Sequence, residues 1–315
     1  MRAAGVRRFG GVVEVLELPG PRRLRPDEVL IDVRVCGVGN WDEFVRTGNW
    51  DLGIRPPMAL GVEAAGIVAA VGEQAAGITT GDRVSVHSAP LREQGTWAEQ
   101  HVAAAEHVAV LPPGAPFEAA AALPVPALTA DQAIGDALQV RAGQTVLVHG
   151  AGGVTGGMLV QLAAHRGATV IATAGADSAG RVAALGASTV LDYHQADWPE
   201  RVRELTGGGA DAAANAVRGG SVGAVRAIRD GGRLATITAD LPAAERDITM
   251  RAVQVAPDGR RLGRLVQLLA QGLLTVSVDD RFPFERADAA LARARHGAHG
   301  SATLLRTGHG HPARG

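Results

Sequence analysis

Residues 145–192 constrain the fold of this chain more than any other part of its sequence. A short run of valine and leucine, Thr145–His149, is followed by the glycine-rich segment GAGGVTGG and then by an apolar run that ends at Gly167. A second apolar run begins at Thr169. This order predicts a buried strand, a glycine turn, a helix and a second, parallel strand.

Three glycines, Gly150, Gly153 and Gly156, set the spacing of the turn. Glycine lets a backbone approach a pyrophosphate closely, and the N-terminus of the following helix offers free N–H groups and a positive dipole end. The strand before the turn and the helix after it distinguish a dinucleotide site from an ordinary glycine-rich turn. We therefore expect the cofactor pyrophosphate to lie against Gly150, Gly152, Gly153, Val154 and Gly156.

The residues after the second strand decide which dinucleotide binds. An NAD site usually has Asp or Glu there, which accepts hydrogen bonds from the ribose 2′-OH. Here residues 174–176 are Ala-Gly-Ala, which leaves room for a 2′-phosphate, with Ser178 as a donor and Arg181 as a cation. Asp177 would oppose this if its carboxylate pointed inward, and Arg181 would equally suit a solvated helix face. The pattern favours NADPH over NADH.

Composition and charge exclude several other classes of function. A net charge of −1 predicts no basic surface for nucleic acid or for a membrane. No apolar run approaches the roughly 20 residues of a membrane span, and no apolar signal segment is visible. The one cysteine, Cys36, permits no internal disulfide and favours a cytoplasmic protein. All 31 basic residues are arginine, so no lysine can serve as an acid, a base or a Schiff-base former.

Secondary-structure signals change character along the chain. Residues 1–117 hold short β-prone runs separated by turn signals, which predicts a small barrel-like β domain. Residues 118–256 alternate between helical and strand patterns, which predicts a doubly wound parallel sheet. We place residues 257–315 with the first domain, because the apolar segment 303–306 can return to it, and we expect residues 309–315 to be frayed. The predicted fold class is α/β, with a β-barrel domain and a Rossmann-type sheet.

Short motifs follow one another along the chain in a specific order. They are RTG at Arg46, GVEAAGIV at Gly61, GDRV at Gly81, GTWAE at Gly95, LPPG at Leu111, HGAGGVTG at His149, LDY at Leu191 and GGRL at Gly231. Together they resemble the zinc-independent quinone oxidoreductase branch of the medium-chain dehydrogenase/reductase superfamily, over nearly the whole chain.

The resemblance implies a fold, a reaction and an assembly. It implies a GroES-like β-barrel catalytic domain, a Rossmann domain and NADPH-dependent reduction of a small-molecule quinone or enone in the cleft between the domains. It also implies a homodimer formed through the edge of the Rossmann sheet, near residues 234–255.

Two positions depart from the zinc-dependent relatives of this superfamily. Gly39 stands where those relatives have a cysteine ligand, and Val62 stands where they have a histidine. Neither residue can bind zinc, which takes nitrogen, sulfur or carboxylate ligands. We therefore expect no metal in this protein.

The resemblance also assigns candidate site residues. Trp50 stands where the branch often has a tyrosine, Thr129 matches a position near the nicotinamide ribose, and Tyr193 matches one near the adenine. Asn40 can donate a hydrogen bond from its amide to a substrate carbonyl, although a turn-forming asparagine fits equally well. Asp42 suits a buttress of the loop better than a base.

Two further functions stay open at this point. One is a reductase-derived cyclase or isomerase of a biosynthetic pathway, which the absence of a lysine or tyrosine donor in the catalytic half favours. A non-catalytic NADPH-binding scaffold is the other. Trp41, Trp50 and Trp97 fit the walls of a pocket for a flat substrate, with core packing as the alternative.

Overall fold

The computed structural model describes residues 1–297 and 300–308, and these group into two units. Unit 1 comprises Met1–Leu128 and the chain from Ala256 onward, and unit 2 comprises Thr129–Val255. Residues 118–128, which the sequence analysis places with the second domain, group with unit 1. The frayed end predicted for residues 309–315 lies outside the described residues.

Both units are built from helices and strands numbered here along the chain. The strands are β1 (Arg2–Val6), β2 (Glu14–Glu17), β3 (Glu28–Val38), β4 (Met58–Ala59), β5 (Glu63–Val71), β6 (Arg83–His87), β7 (Gln100–Ala104), β8 (Val108–Val110), β9 (Thr145–His149), β10 (Thr169–Ala174), β11 (Thr189–Asp192), β12 (Ala210–Asn215), β13 (Ile228–Thr236), β14 (Thr249–Ala252), β15 (Ser277–Pro283) and β16 (Ser301–Arg306). The helices are α1 (Trp41–Thr47), α2 (Phe117–Ala121), α3 (Pro124–Gln132), α4 (Val154–His165), α5 (Ala176–Ala184), α6 (Trp198–Thr206), α7 (Ser221–Ala227), α8 (Gly259–Ala270) and α9 (Ala287–Arg295).

The main sheet of unit 1 is organised around the long strand β3. Its strands follow the order β15-β16-β3-β5-β6-β8, with β7 also paired to β3, and a second sheet has the order β2-β1-β4. Val29, Ile31 and Val33 alternate along β3 and are fully buried, as expected for a strand with one face toward a core. This arrangement confirms the β-rich first domain.

Residues 118–128 are tied to unit 1 by hydrogen bonds from its sheet. The hydroxyl of Ser85 donates to the carbonyl oxygen of Ala120 over 2.7 Å. The backbone N–H of Val125 donates to the Glu63 carboxylate over 2.8 Å. Both contacts are buried, so the start of α3 is fixed against β5.

The sheet of unit 2 is parallel throughout, with the order β11-β10-β9-β12-β13-β14. Strand order reverses between β9 and β12, and in such sheets ligands bind outside the carboxyl ends of the strands at this point. Buried side chains such as Leu147, Ile171 and Leu234 pack between the sheet and its helices. The predicted doubly wound parallel sheet is confirmed.

Among the described residues, no helix combines the length and the apolar character that crossing a bilayer requires.

Candidate dinucleotide-binding and catalytic sites

The glycine turn that joins β9 to α4 is held in a shape that two of its residues could not adopt with side chains. Gly150 has a φ of 86°, and an added Cβ would press against Val217. A Cβ on Gly156 would overlap the carbonyl oxygen of Gly150 and come within 2.8 Å of the Ala151 Cα. Both positions therefore require glycine for the turn itself.

Gly152 and Gly153 have a different reason to be glycine. Gly153 precedes α4 in an extended conformation, with φ −83° and ψ 170°, and an added Cβ would have its nearest neighbour at 3.9 Å. An added Cβ on Gly152 would meet only the Ser178 side chain, at 3.4 Å. Because the protein itself leaves room here, in front of a helix N-terminus, the turn fits a pyrophosphate approaching the backbone.

The structure brings Ser178 and Arg181 to this turn. The Arg181 guanidinium donates to the carbonyl oxygen of Gly152 over 2.7 Å. Ser178 lies in the first turn of α5, where its backbone N–H donates to the carbonyl of Gly175 over 2.9 Å. Asp177, which would oppose a 2′-phosphate if it pointed inward, is exposed. A donor and a cation therefore flank the space after β10.

Tyr193 lies near the same end of the sheet. Its side chain is 47% exposed, and its hydroxyl would lie 3.7 Å from a Cβ added to Gly175. The ring packs at a tilt against His194, with 4.1 Å between the centroids. Thr129 lies in α3 and is buried, with 7% exposure.

A polar network at the carboxyl ends of β12 and β13 was missed by the sequence analysis. One carboxylate oxygen of Asp240 accepts hydrogen bonds from the hydroxyls of Thr236 and Thr238, both at 2.6 Å, and from Ser221 at 2.9 Å. Burial opposes ionisation of Asp240, but these hydroxyl donors outweigh it and hold its pKa well below the usual range. The preceding residue, Ala239, has a φ of 59°, a strained conformation for alanine.

Asn215 connects this network to the glycine turn. Its amide donates to the carbonyl oxygen of Val217 over 2.9 Å, and its carbonyl accepts from the Val217 N–H over 3.1 Å. Val217 is the residue against which Gly150 packs. The Asp240 network therefore fixes the segment that contacts the first glycine of the turn. Polar residues end both strands or lie close after them, since Asn215 ends β12, Thr236 ends β13, and Asp240 follows four residues later.

His149, the last residue of β9, is held as a neutral imidazole. Its Nδ1 lies 2.7 Å from the Thr173 hydroxyl, and its ring stacks on Trp198 with 4.6 Å between the centroids. Burial lowers the pKa of His149 to about 4. It therefore carries no charge beside the turn at neutral pH.

In unit 1, residues 40–50, which include α1, contain the other sequence-predicted residues. Asp42 is fully buried, and one of its carboxylate oxygens accepts from the Gly39 N–H over 2.8 Å. Asn40 precedes the helix, is exposed, and makes no side-chain cap. Trp50 is half-buried, and its backbone N–H donates to the carbonyl oxygen of Phe44 over 3.0 Å. Asp42 is therefore placed to support the loop, and Asn40 to face solvent or a ligand.

The three tryptophans of unit 1 fall into two groups. Trp97 is fully buried and its indole N–H donates to the carbonyl of Gly37 over 3.0 Å. It is part of the core of unit 1. Trp41 and Trp50 are only half-buried.

A second buried carboxyl lies close to Asp42. Glu63 is 2% exposed, and burial raises its pKa well above the usual range, with the nearby Asp42 adding to the shift. Cys36 is also buried, and its thiol donates to the carbonyl of Thr96 over 3.1 Å. Within residues 1–297 and 300–308, no three His, Cys, Asp or Glu side chains group so that they could hold a metal ion.

We expect stability to fall with rising pH because of Asp42. Burial raises the pKa of Asp42 to about 8, which the Gly39 hydrogen bond only partly offsets, whereas an unfolded aspartate has a pKa of about 3.9. The folded state therefore binds more protons than the unfolded state between these values, so its stability decreases as pH rises through that window.

The test compares the wild type with Asp42→Asn in thermal unfolding at pH 6 and pH 8.5. The amide cannot ionise, so the variant should lose less stability over this range and exceed the wild type at pH 8.5. Equal pH slopes in the two proteins would show that Asp42 is ionised in the folded state.

Comparisons with known proteins match both halves of the chain. A model described as "Alcohol dehydrogenase GroES-like domain" matches residues 25–113, and one described as "Zinc-binding dehydrogenase" matches residues 185–300. Quinone oxidoreductase from Homo sapiens is 33% identical over 211 residues, which cover 66% of this chain and 63% of that protein. The chain spans between 43% and 63% of the length of such curated relatives.

Solved structures match over nearly the full chain. The structure of an NAD-dependent alcohol dehydrogenase has a TM-score of 0.88 and 31% identity, with coverage of 98% of this chain and 100% of the other. A mycobacterial protein complexed with NADPH has a TM-score of 0.83 and 28% identity, with coverage of 97% and 100%.

Proposed function

Because this chain belongs to the quinone oxidoreductase branch of the medium-chain dehydrogenase/reductase superfamily, we propose that it reduces a quinone or an α,β-unsaturated carbonyl compound with NADPH. The observation that carries the proposal is the glycine turn after β9. Its first and third glycines are required by packing, while Gly153 is left open in front of a twelve-residue helix. That combination suits a turn built to receive a pyrophosphate.

The proposed cofactor contacts all come from residues of unit 2. The pyrophosphate would lie against Gly150, Gly152, Gly153, Val154 and Gly156, and the 2′-phosphate near Ser178 and Arg181. Tyr193 would lie beside the adenine half, and Thr129 near the nicotinamide ribose. NADPH supplies the hydride when it is bound. The mycobacterial relative complexed with NADPH supports this choice.

Arg181→Ala should weaken NADPH binding by about 1–2 kcal/mol, the range of a charge-assisted pair with a phosphate. NADH, which lacks the 2′-phosphate, should lose much less affinity. Fluorescence titration of both cofactors provides the measurement, with Arg201→Ala, on the exposed face of α6, as a control. If both cofactors lose affinity equally, the bond from Arg181 to the Gly152 carbonyl supports the turn and does not read the phosphate.

In the catalytic half, the side chains present would act without zinc. Hydride delivery places negative charge on the substrate carbonyl oxygen, and an amide donor can stabilise it. Asn40 is proposed as that donor. Asp42 would hold the backbone before α1 in place through its hydrogen bond from Gly39, and Trp50 would form a wall of the substrate pocket. The exposure of Asn40 and the buried hydrogen bond of Asp42 support these roles.

Oxidation of NADPH in the presence of a panel of quinones, enones and enoyl thioesters tests the proposed reaction. Turnover with at least one class is expected. Turnover that changes the substrate by ring closure or isomerisation would favour a reductase-derived cyclase or isomerase of secondary metabolism. NADPH binding without turnover of any substrate would favour a scaffold.

We also propose that the protein is a cytoplasmic homodimer. Strand β14 lies at the edge of the unit 2 sheet, because among the described strands it pairs only with β13. Most of its residues are exposed. An uncovered strand edge is a site where another chain can pair. Pairing of two β14 edges would cover both.

A further inference from the structure

A cavity of about 250 Å³ opens at the amino ends of the strands in unit 2. Its lining residues are Arg141, Gln144, Asp211, Arg229, Gly231 and Arg233. We call this the arginine cavity. Arg141 and Gln144 precede β9, and Asp211 is the second residue of β12. The cavity therefore lies at the edge where the parallel strands begin.

The arginine cavity and the glycine turn lie at opposite edges of the sheet. β9 starts at Thr145, beside Gln144, and ends at His149, directly before the turn. Four steps along a strand span about 13 Å, so the two regions are separated by the length of β9. The cavity is therefore distinct from the proposed cofactor site, and an inference about it does not rest on the proposed function.

Charge in the arginine cavity is unbalanced. Both carboxylate oxygens of Asp211 already accept a hydrogen bond within the protein, one from the Thr145 N–H over 2.8 Å and the other from the Arg229 guanidinium over 2.9 Å. Within the described chain, no ion pair joins Arg141 or Arg233 to a carboxylate. The lining residues thus include three arginines and one aspartate, a net charge of +2, which attracts counter-ions of two negative charges.

Two of the guanidiniums are held in place before any ligand arrives. Arg233 donates to the carbonyl oxygen of Leu138 over 3.1 Å, and Arg229 is fixed by Asp211. Each guanidinium has five N–H donors in a planar fork, so donors remain for a ligand. Fixed donors lose less conformational entropy on binding than free ones.

We infer that the arginine cavity binds a doubly charged oxyanion, of the class of a phosphate or phosphate monoester. Guanidinium forks match the spacing of phosphate and carboxylate oxygens and bind them through paired hydrogen bonds. Gln144 adds a neutral amide at the same wall. The Asp211 carboxylate repels an anion and reduces the net charge of the lining residues to +2. The ligand should therefore avoid this carboxylate and carry no more than two negative charges.

The test measures binding of inorganic phosphate by calorimetry at constant ionic strength, with chloride as the reference anion and malonate as a carboxylate dianion. Saturable phosphate binding to the wild type is expected. Arg141→Gln should weaken it by roughly tenfold or more, as for loss of a charge-assisted bond. Arg141 is exposed, so this change should not affect folding, whereas Arg233→Gln also removes the bond to Leu138.

Two control variants separate this site from others. Arg264→Gln removes an exposed arginine of unit 1 and should leave phosphate binding unchanged. Arg181→Ala alters the proposed 2′-phosphate site, so it removes only phosphate that binds there and should leave the Arg141-dependent binding unchanged. Malonate should bind more weakly than phosphate, and comparable binding of malonate would overturn the assignment to the phosphate class. The inference is overturned if phosphate binds no better than chloride, or if binding survives Arg141→Gln but is lost in Arg181→Ala.

Discussion

Gly156→Ala is expected to abolish measurable dinucleotide binding and to lower the melting temperature of the protein. The added methyl group would overlap the Gly150 carbonyl oxygen, which is backbone and cannot move away without reshaping the turn. The turn and the first residues of α4 would have to separate, and the N–H groups of this segment would no longer converge. Overpacking of this kind typically costs about 1–3 kcal/mol.

Gly153→Ala provides a matched comparison within the same turn. Its added methyl group would have no protein atom closer than 3.9 Å, and its extended backbone suits alanine. The melting temperature should therefore stay close to that of the wild type. NADPH affinity should nevertheless fall, because the methyl group would occupy space that a pyrophosphate needs. Unchanged affinity in Gly153→Ala would show that the cofactor does not approach this glycine.

Asn40→Ala is expected to lower kcat by about 10²–10³ with nearly unchanged NADPH affinity, the range for loss of one donor to a developing oxyanion. The chain contains no lysine and its one tyrosine is Tyr193, in unit 2. Asn40 is the uncharged donor at the start of α1, and its exposed amide has no capping role to lose. A stability change should therefore not accompany the loss of activity.

Asn49→Ala is the control, because Asn49 is also exposed and lies just after the same helix. It should retain wild-type kcat. Trp50→Tyr, which restores the residue often found in the branch, should alter the range of substrates more than cofactor affinity. Full activity of Asn40→Ala on the true substrate would mean that backbone or water holds the carbonyl, and the assignment of Asn40 would be wrong.

The sequence was sufficient for the parts of the fold that local rules determine. Apolar runs such as 145–149 and 169–174 form strands because all but their first side chains are buried between two helical layers. Gly150 and Gly156 were identifiable because the turn cannot tolerate a Cβ at either residue. Pro124 begins α3, a position where proline is favoured.

The features that sequence reasoning missed depend on contacts between distant residues. Asp240 is 25 residues from Asn215, and only the parallel pairing of β12 with β13 brings their loops together. The residues beside Asp42 and Glu63 in sequence do not reveal a perturbed carboxyl group, and the raised pKa values of both follow from burial in the assembled unit 1. The arginine cavity likewise collects residues from three separate strand ends.

Transfer of deuterium from NADPH labelled at C4 of the nicotinamide ring tests the central claim most directly. The enzyme would be incubated with the labelled cofactor and the quinone or enone that it turns over fastest, and the product examined by mass spectrometry. The two cofactors that carry a single deuterium on opposite faces of C4 would be used separately. For an enone, the account predicts that one of them places one deuterium on the β-carbon of the product, with an equal amount of oxidised cofactor; for a quinone, it predicts that the oxidised cofactor formed from one of them has lost the label. Product formed without consumption of NADPH would contradict the proposed hydride transfer, and so would cofactor that remains bound and fully reduced with every substrate.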